Sequence, residues 1–307
     1  MEPAPSAHRF AFAALLIANL FLALGPWLVR LADVGPVAAA FWRLALALPF
    51  LAWLAWRQSR GRPFPGWGIV AAMALGGLFF AADLAAWHEG ILRTKLANAT
   101  LFGNFASLLF AVYGFVLLRA LPGRMQALAL LLAAAGSALL LGGSFELSAR
   151  HFSGDLLALL AGLFYFFYLI AIDRARRTMA PFPVLAIATA AGTAPMLAFS
   201  LALGEQVVPG DWGPVILLAV TSQLLGQGLL VYAMGHLSPV IVGLCFLTQP
   251  VVSAAIGWAV YDERFTASDA LGALAICVAL VLIRLPQKPS GAEPYALEVA
   301  TKPPAAH

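Results

Sequence analysis

Ten stretches of this chain are apolar runs with almost no charge inside them: roughly 10–29, 36–56, 68–89, 97–118, 125–142, 154–172, 183–203, 214–234, 240–260 and 268–284. A helix needs about 20 apolar residues to cross a bilayer, with a range of about 17–25. The runs therefore read as ten transmembrane helices, and the chain as an all-α membrane protein. Composition closes off the soluble alternative. Hydrophobic residues make up 62% of 307 positions and charged residues 10%, whereas a soluble domain carries about 25% charge. A chain with a mean hydropathy of +0.90 cannot cover a water-facing surface. The first run, Phe10 to Val29, is too long for the apolar core of a signal peptide and lacks a clear small-residue cleavage site, so it reads as an uncleaved first span.

The net charge is +4, but the basic residues sit in short loops between apolar runs. That is a topology signal and not a nucleic-acid footprint. With the N-terminus placed in the cytoplasm, inside segments hold twelve Lys and Arg and outside loops five (Arg30, Arg93, Lys95, Arg150 and Arg264). Both termini are accordingly expected to be cytoplasmic. The connections carry Gly and Pro, as in Arg60-Gly61-Arg62-Pro63 and Leu121-Pro122-Gly123, and the Pro- and Ala-rich end reads as a disordered tail.

The stretch Tyr232 to Ile283 recurs, blurred, 145 positions earlier: Trp87 falls on Tyr232, Gly90 on Gly235, Asn104 on Gln249 and Arg119 on Arg264. Ten spans divided as five and five invert the second half in the membrane, a pattern of secondary transporters whose site lies near the midplane. The expected organisation is a cytoplasmic N-terminus (1–9), a first five-helix repeat (10–142), a second, inverted five-helix repeat (154–284) and a cytoplasmic tail (285–307).

Several local patterns then gain meaning. The ninth run contains Thr248-Gln249-Pro250, the next loop Asp262-Glu263, and the tenth run opens at Ser268-Asp269-Ala270-Leu271-Gly272, while the second run contains Phe41-Trp42-Arg43-Leu44. On these residues, over about 10–285, the chain resembles the drug/metabolite transporter superfamily in its ten-helix EamA-type branch. The resemblance is best to bacterial exporters of amino acids, aromatic ones included. It implies an exporter in the bacterial inner membrane. Two departures stand out. The first half has Phe105 at the place of Pro250, which predicts a straighter helix four than helix nine. Helix one offers only Asn19 where small multidrug members carry a membrane-embedded Glu.

Polar groups in hydrocarbon are costly and mark function or interhelical contacts. Asp83 is the carboxylate deepest inside a span, on the stripe Gly76, Phe80, Asp83, Trp87, Gly90; it can bind a substrate ammonium or a proton, or serve a neighbouring helix. His88, beside Glu89, is a second proton-coupling candidate or a wet interfacial residue. Asn104 and Gln249 are paired by the repeat, and Gln223 and Gln227 share a helix face; all four read as polar contacts to substrate or as interhelical glue. Trp87, Tyr165 and Tyr168 supply aromatic walls for a flat amphipathic solute or face lipid. Trp27, Trp53, Trp56 and Trp67 read as an interfacial belt. Arg43 reads first as a snorkelling side chain, with substrate contact as its alternative. Gly25, Pro26 and Pro250 are candidate hinges.

No phosphate loop, His-Glu-x-x-His or paired carboxylates occur within a span, so no cofactor, metal or catalytic residue is expected. The predicted function is a secondary transporter exporting small amphipathic metabolites by alternating access, with a small-molecule substrate, the lipid bilayer as its solvent and no nucleic-acid partner. Drug or sugar-type metabolite export, a passive channel and an integral-membrane enzyme remain as alternatives. The last would need His or carboxylates clustered at one face, and His88, Glu89 and Glu146 are scattered. Small residues on helices five and ten (Ala133, Ser137; Ala270, Ala273) are compatible with a monomer or a homodimer.

Overall fold

The computed structural model describes residues 5–93, 96–118, 122–142, 149–246, 248–261 and 267–282. The Asp262-Glu263 loop, Lys95, Arg119, Arg264, Glu146 and the 285–307 tail lie outside the described residues. Every regular element among those described is helical. In the first half these are α1 (Pro5–Ala23), α2 (Gly25–Leu31), α3 (Pro36–Ser59), α4 (Trp67–Arg93), α5 (Leu96–Gly103), α6 (Phe105–Leu118) and α7 (Arg124–Gly142). The second half has α8 (Ala149–Ala175), α9 (Pro181–Ala202), α10 (Trp212–Leu218), a π-helical segment (Ala219–Gln227), α11 (Gly228–Met234), α12 (Pro239–Phe246), α13 (Thr248–Tyr261) and α14 (Ala267–Leu282).

Seven stretches are long and apolar enough to cross a membrane: Arg9–Leu31, Pro36–Ser59, Trp67–Arg93, Phe152–Ala175, Pro181–Ala202, Trp212–Met234 and Pro239–Val260. Phe105–Leu117, Arg124–Gly136 and Ala270–Ala279 are shorter apolar helices. Proline opens both α3 and α9, where its missing N–H costs no hydrogen bond and its fixed φ suits the first turn. These prolines, Pro36 and Pro181, are 145 positions apart, the same offset that relates Asn104 to Gln249.

The most extensive packing joins one half to the other. α4 lies along α8, α3 along α9, α7 along α14 and α6 along α12, while α1 lies against the π segment and α11. Without a hydrophobic drive between helices in lipid, such pairs depend on close backbone approach. Gly77 is the clearest case: a methyl group there would overlap the Ala188 carbonyl of α9. Bulky apolar side chains point outward, among them Leu131, Val116 and Leu274. Three of the predicted belt tryptophans are exposed (Trp53, Trp56 and Trp67), with Arg57 and Arg60 over the rings of Trp53 and Trp56 at 5.0 and 3.7 Å. Trp27 differs: its indole nitrogen is buried and makes no hydrogen bond with a described residue.

The loops before α3 and before α10 are stitched together. Glu205 accepts from the Val37 and Ala38 amides (3.2 and 2.7 Å), so a side chain of the second half caps a helix of the first. Gly35 donates to the Gln206 carbonyl at 3.0 Å and the Trp42 indole to the Val207 carbonyl at 2.6 Å. In return, Asp33 accepts from the Gly210 and Asp211 amides, both at 2.9 Å. Glu205→Ala removes the α3 cap and is expected to cost about 0.5–2 kcal/mol, read as a lower unfolding midpoint in detergent. Gly77→Val should lower that midpoint further by wedging α4 from α9, whereas Gly68→Ala, with nothing near its Cβ position, should leave it unchanged.

Candidate functional site

The first and fourth spans are interrupted, at Leu24 and at Asn104, and a cavity opens beside both. Helix four is not the straighter one that its lack of proline predicts. It breaks at Asn104 into α5 and α6. The Asn104 side-chain amide donates to the Thr100 carbonyl at 2.9 Å, which also accepts from the Asn104 backbone amide at 3.0 Å, and its oxygen accepts from the Ser107 hydroxyl at 3.4 Å. Across the break, Gly162 of α8 packs on the Phe102 and Gly103 carbonyls; its Cβ would lie 2.7 and 3.0 Å from them. In the other repeat α12 and α13 flank position 247, which lies outside the described residues, and Pro239–Val260 forms one long apolar span. Gly25 and Pro26 open α2 after the turn at Leu24.

The cavity is small, about 70 Å³, below the range of about 300–1,000 Å³ of small-molecule sites. Asp83, Trp87, Asn104, Tyr165, Gln227 and Gln249 all line it, from α4, α6's approach, α8, the π segment and α13. Leu22, Phe80, Leu84, Thr100, Ser107 and Phe246 complete much of the wall. Gln249 donates to Asn19 Oδ1 at 2.8 Å, and Asn19 donates on to the Cys245 carbonyl at 3.1 Å. Asn19, the one polar residue noted in helix one, thus binds Cys245 and Gln249 of the ninth span. Trp87 is held by its indole N–H on the Ala99 carbonyl at 3.2 Å.

Two predicted contact residues stand behind the wall and not on it. Tyr168 is completely buried, stacked on Phe80 at 4.4 Å, and donates to Gln227 Oε1 at 3.3 Å. Gln227 in turn donates to the Tyr165 hydroxyl at 3.2 Å, which fixes that ring at the cavity edge. Gln223 is also completely buried; it donates to the Thr189 hydroxyl at 2.9 Å and accepts from Arg43 Nε at 3.2 Å. Both glutamines belong to the π-helical segment, a local widening often found at functional sites. Neither its presence nor its position has a signal in the sequence.

Arg43 overturns its first reading. It does not snorkel: it is 3% exposed, lines the cavity and lies 5.5 Å over the Phe80 ring. It stands seven residues into α3, about 10 Å along the axis, too deep for the nearest interface. His88 is not wet either. It is fully buried outside the cavity lining, with Nδ1 donating to the Pro36 carbonyl at 2.8 Å and Nε2 without a hydrogen bond to a described residue.

A family model for the EamA-like transporter family matches residues 9–142 and again 152–285. A solved crystal structure is similar over 92% of this chain and 98% of its own, with 20% identity and a TM-score of 0.72, a likeness of fold. No curated protein sequence matches significantly.

Gln223 is the strut of this region. Gln223→Leu strands Arg43 Nε and the Thr189 hydroxyl and is expected to cost about 1–3 kcal/mol. Gln223→Glu keeps an acceptor for Arg43 and should cost less, both read from unfolding midpoints of the purified protein.

Proposed function

Because the chain belongs to the EamA-like transporter family, we propose that it is a secondary carrier that exports small amphipathic metabolites, amino acids including aromatic ones, across the bacterial inner membrane by alternating access. The carrier would have ten spans in two inverted repeats (10–142 and 154–284), the three shorter apolar helices completing the seven long ones, and cytoplasmic termini. The packing supports the inversion. A two-fold that exchanges the repeats turns the α4–α8 contact into the contact of α1 with the π segment and α11. It maps the α3–α9, α6–α12 and α7–α14 contacts onto themselves.

One observation carries the substrate reading: polar amides and opposite charges meet aromatic rings in a single cavity at the helix breaks. Asn104, Gln227 and Gln249 offer neutral hydrogen bonds, which recognise polar groups with a small desolvation cost. Trp87 and Tyr165 offer flat apolar area, which favours an aromatic side chain. Asp83 offers a carboxylate for an ammonium or a coupled proton; among the described residues none donates a hydrogen bond to it. Gly25-Pro26 and the π segment sit where spans are already irregular, and with Pro250 serve as hinges about which the halves move.

Counterflow of labelled phenylalanine, tryptophan and threonine into proteoliposomes, with and without a pH gradient, tests the reading. Saturable exchange is expected, reduced at least about tenfold in Asp83→Asn and Gln249→Ala. Stimulation by the gradient that vanishes in Asp83→Asn assigns the coupling proton to that carboxylate. Uptake that never saturates describes a channel, and flat traces with intact protein dismiss amino acids as substrates.

A further inference from the structure

Arg43 and Asp83 are opposite charges on α3 and α4 that share the cavity and do not touch. The ion pairs formed among the described residues are Glu89–Arg93 and Asp173–Arg177; Arg43 and Asp83 form none. Arg43 uses Nε on Gln223, and neither terminal nitrogen donates to a described residue. Asp83 is 8% exposed and receives no donor from a described residue. Burying a lone charge is costly, and two opposite charges facing one space ordinarily close on each other. Here closure is blocked from behind. Gln223, itself tied to Thr189 at 2.9 Å, holds the guanidinium by Nε, and the Phe80 ring lies under it. The fold keeps a cation and an anion apart, and both residues line the same cavity.

Resting on the amino-acid reading above, we propose that Arg43 and Asp83 form a zwitterion clamp: Arg43 binds the substrate carboxylate and Asp83 its α-ammonium. The planar guanidinium offers two parallel N–H groups, the geometry a carboxylate takes up in bidentate form. With Nε already committed, the terminal nitrogens are the pair left for it. The ammonium then meets Asp83, while the side chain reaches the Trp87, Tyr165 and Phe246 rings that share the cavity. A substrate with only one charge leaves the other clamp residue buried and unpaired, and sites of this kind reject analogues that lack a required partner. The clamp therefore selects zwitterions against organic cations and organic anions of the same shape.

The test is counterflow of three labelled compounds: phenylalanine, phenylalaninamide (ammonium alone) and 3-phenylpropionate (carboxylate alone). Each is measured as the saturable component above protein-free liposomes. Native protein should exchange phenylalanine at least about tenfold better than either analogue. Arg43→Gln should reverse the order in favour of phenylalaninamide, and Asp83→Asn in favour of 3-phenylpropionate. Such opposite reversals are not produced by general loss of structure. If native protein exchanges the one-charge analogues as well as phenylalanine, the clamp is wrong, and that arm needs no substitution to fold. Substitutions that lower all three compounds equally would also overturn it while leaving amino-acid transport standing. Absence of exchange for every amino acid in native protein removes the reading beneath it, and the clamp with it.

Discussion

An amide that leaves its helical ladder in hydrocarbon finds no water to receive it. This limits where such a chain can bend and where it can be polar, and here the two places coincide. The breaks at Leu24 and Asn104, together with the π segment, lie around one cavity. The side chains that settle the interrupted backbone are residues of its wall or stand just behind it. Asn104 bonds back to Thr100, and Asn19 takes the Cys245 carbonyl while receiving Gln249. Backbone irregularity and binding chemistry are thus one feature of the fold, produced by the same few amides.

The second organising fact is that the halves hold each other more than they hold themselves. α4 on α8, α3 on α9, α6 on α12 and α7 on α14 are all contacts between repeats. Where they approach closely the residue is small, as at Gly77 against Ala188 and Gly162 against the Phe102 and Gly103 carbonyls. The Glu205 cap on α3 continues this exchange into the loops. A cavity enclosed this way has walls from both repeats, so a relative movement of the halves changes its shape directly.

The all-helical membrane architecture was legible because long apolar runs report spanning helices, and polar residues inside them stand out. Asp83 and Gln227 could be picked on that contrast, Asn104 and Gln249 on their pairing by the repeat and Trp87 as an aromatic, and all five line the cavity. Depth was harder. Periodicity gives the face of a helix, but it does not say whether a side chain ends at the wall or behind it, and so Tyr168 and Gln223 were placed one layer too far in. Arg43 was read from the usual behaviour of a long cation near a membrane surface; its seven-residue distance from the start of α3 was the available sign that it turns inward. The break in helix four escaped because an asparagine bonding back to the Thr100 carbonyl leaves no proline to mark it. The π segment escaped because nothing in Ala219–Gln227 distinguishes its sequence from an ordinary helix.

The Arg43–Gln223 bond has a consequence for biogenesis. Its two ends are 180 positions apart, so α3 enters the bilayer long before its acceptor has been synthesised. During that interval a guanidinium destined for a dry interior has no partner from the second repeat, and the Gly77 face has no Ala188 to meet. The first repeat must therefore wait in the membrane as an incomplete object, its charge tolerated by snorkelling or by water drawn in beside it. The order of synthesis thus makes the second repeat the completing half: its arrival shuts the interior and sets the charge in place.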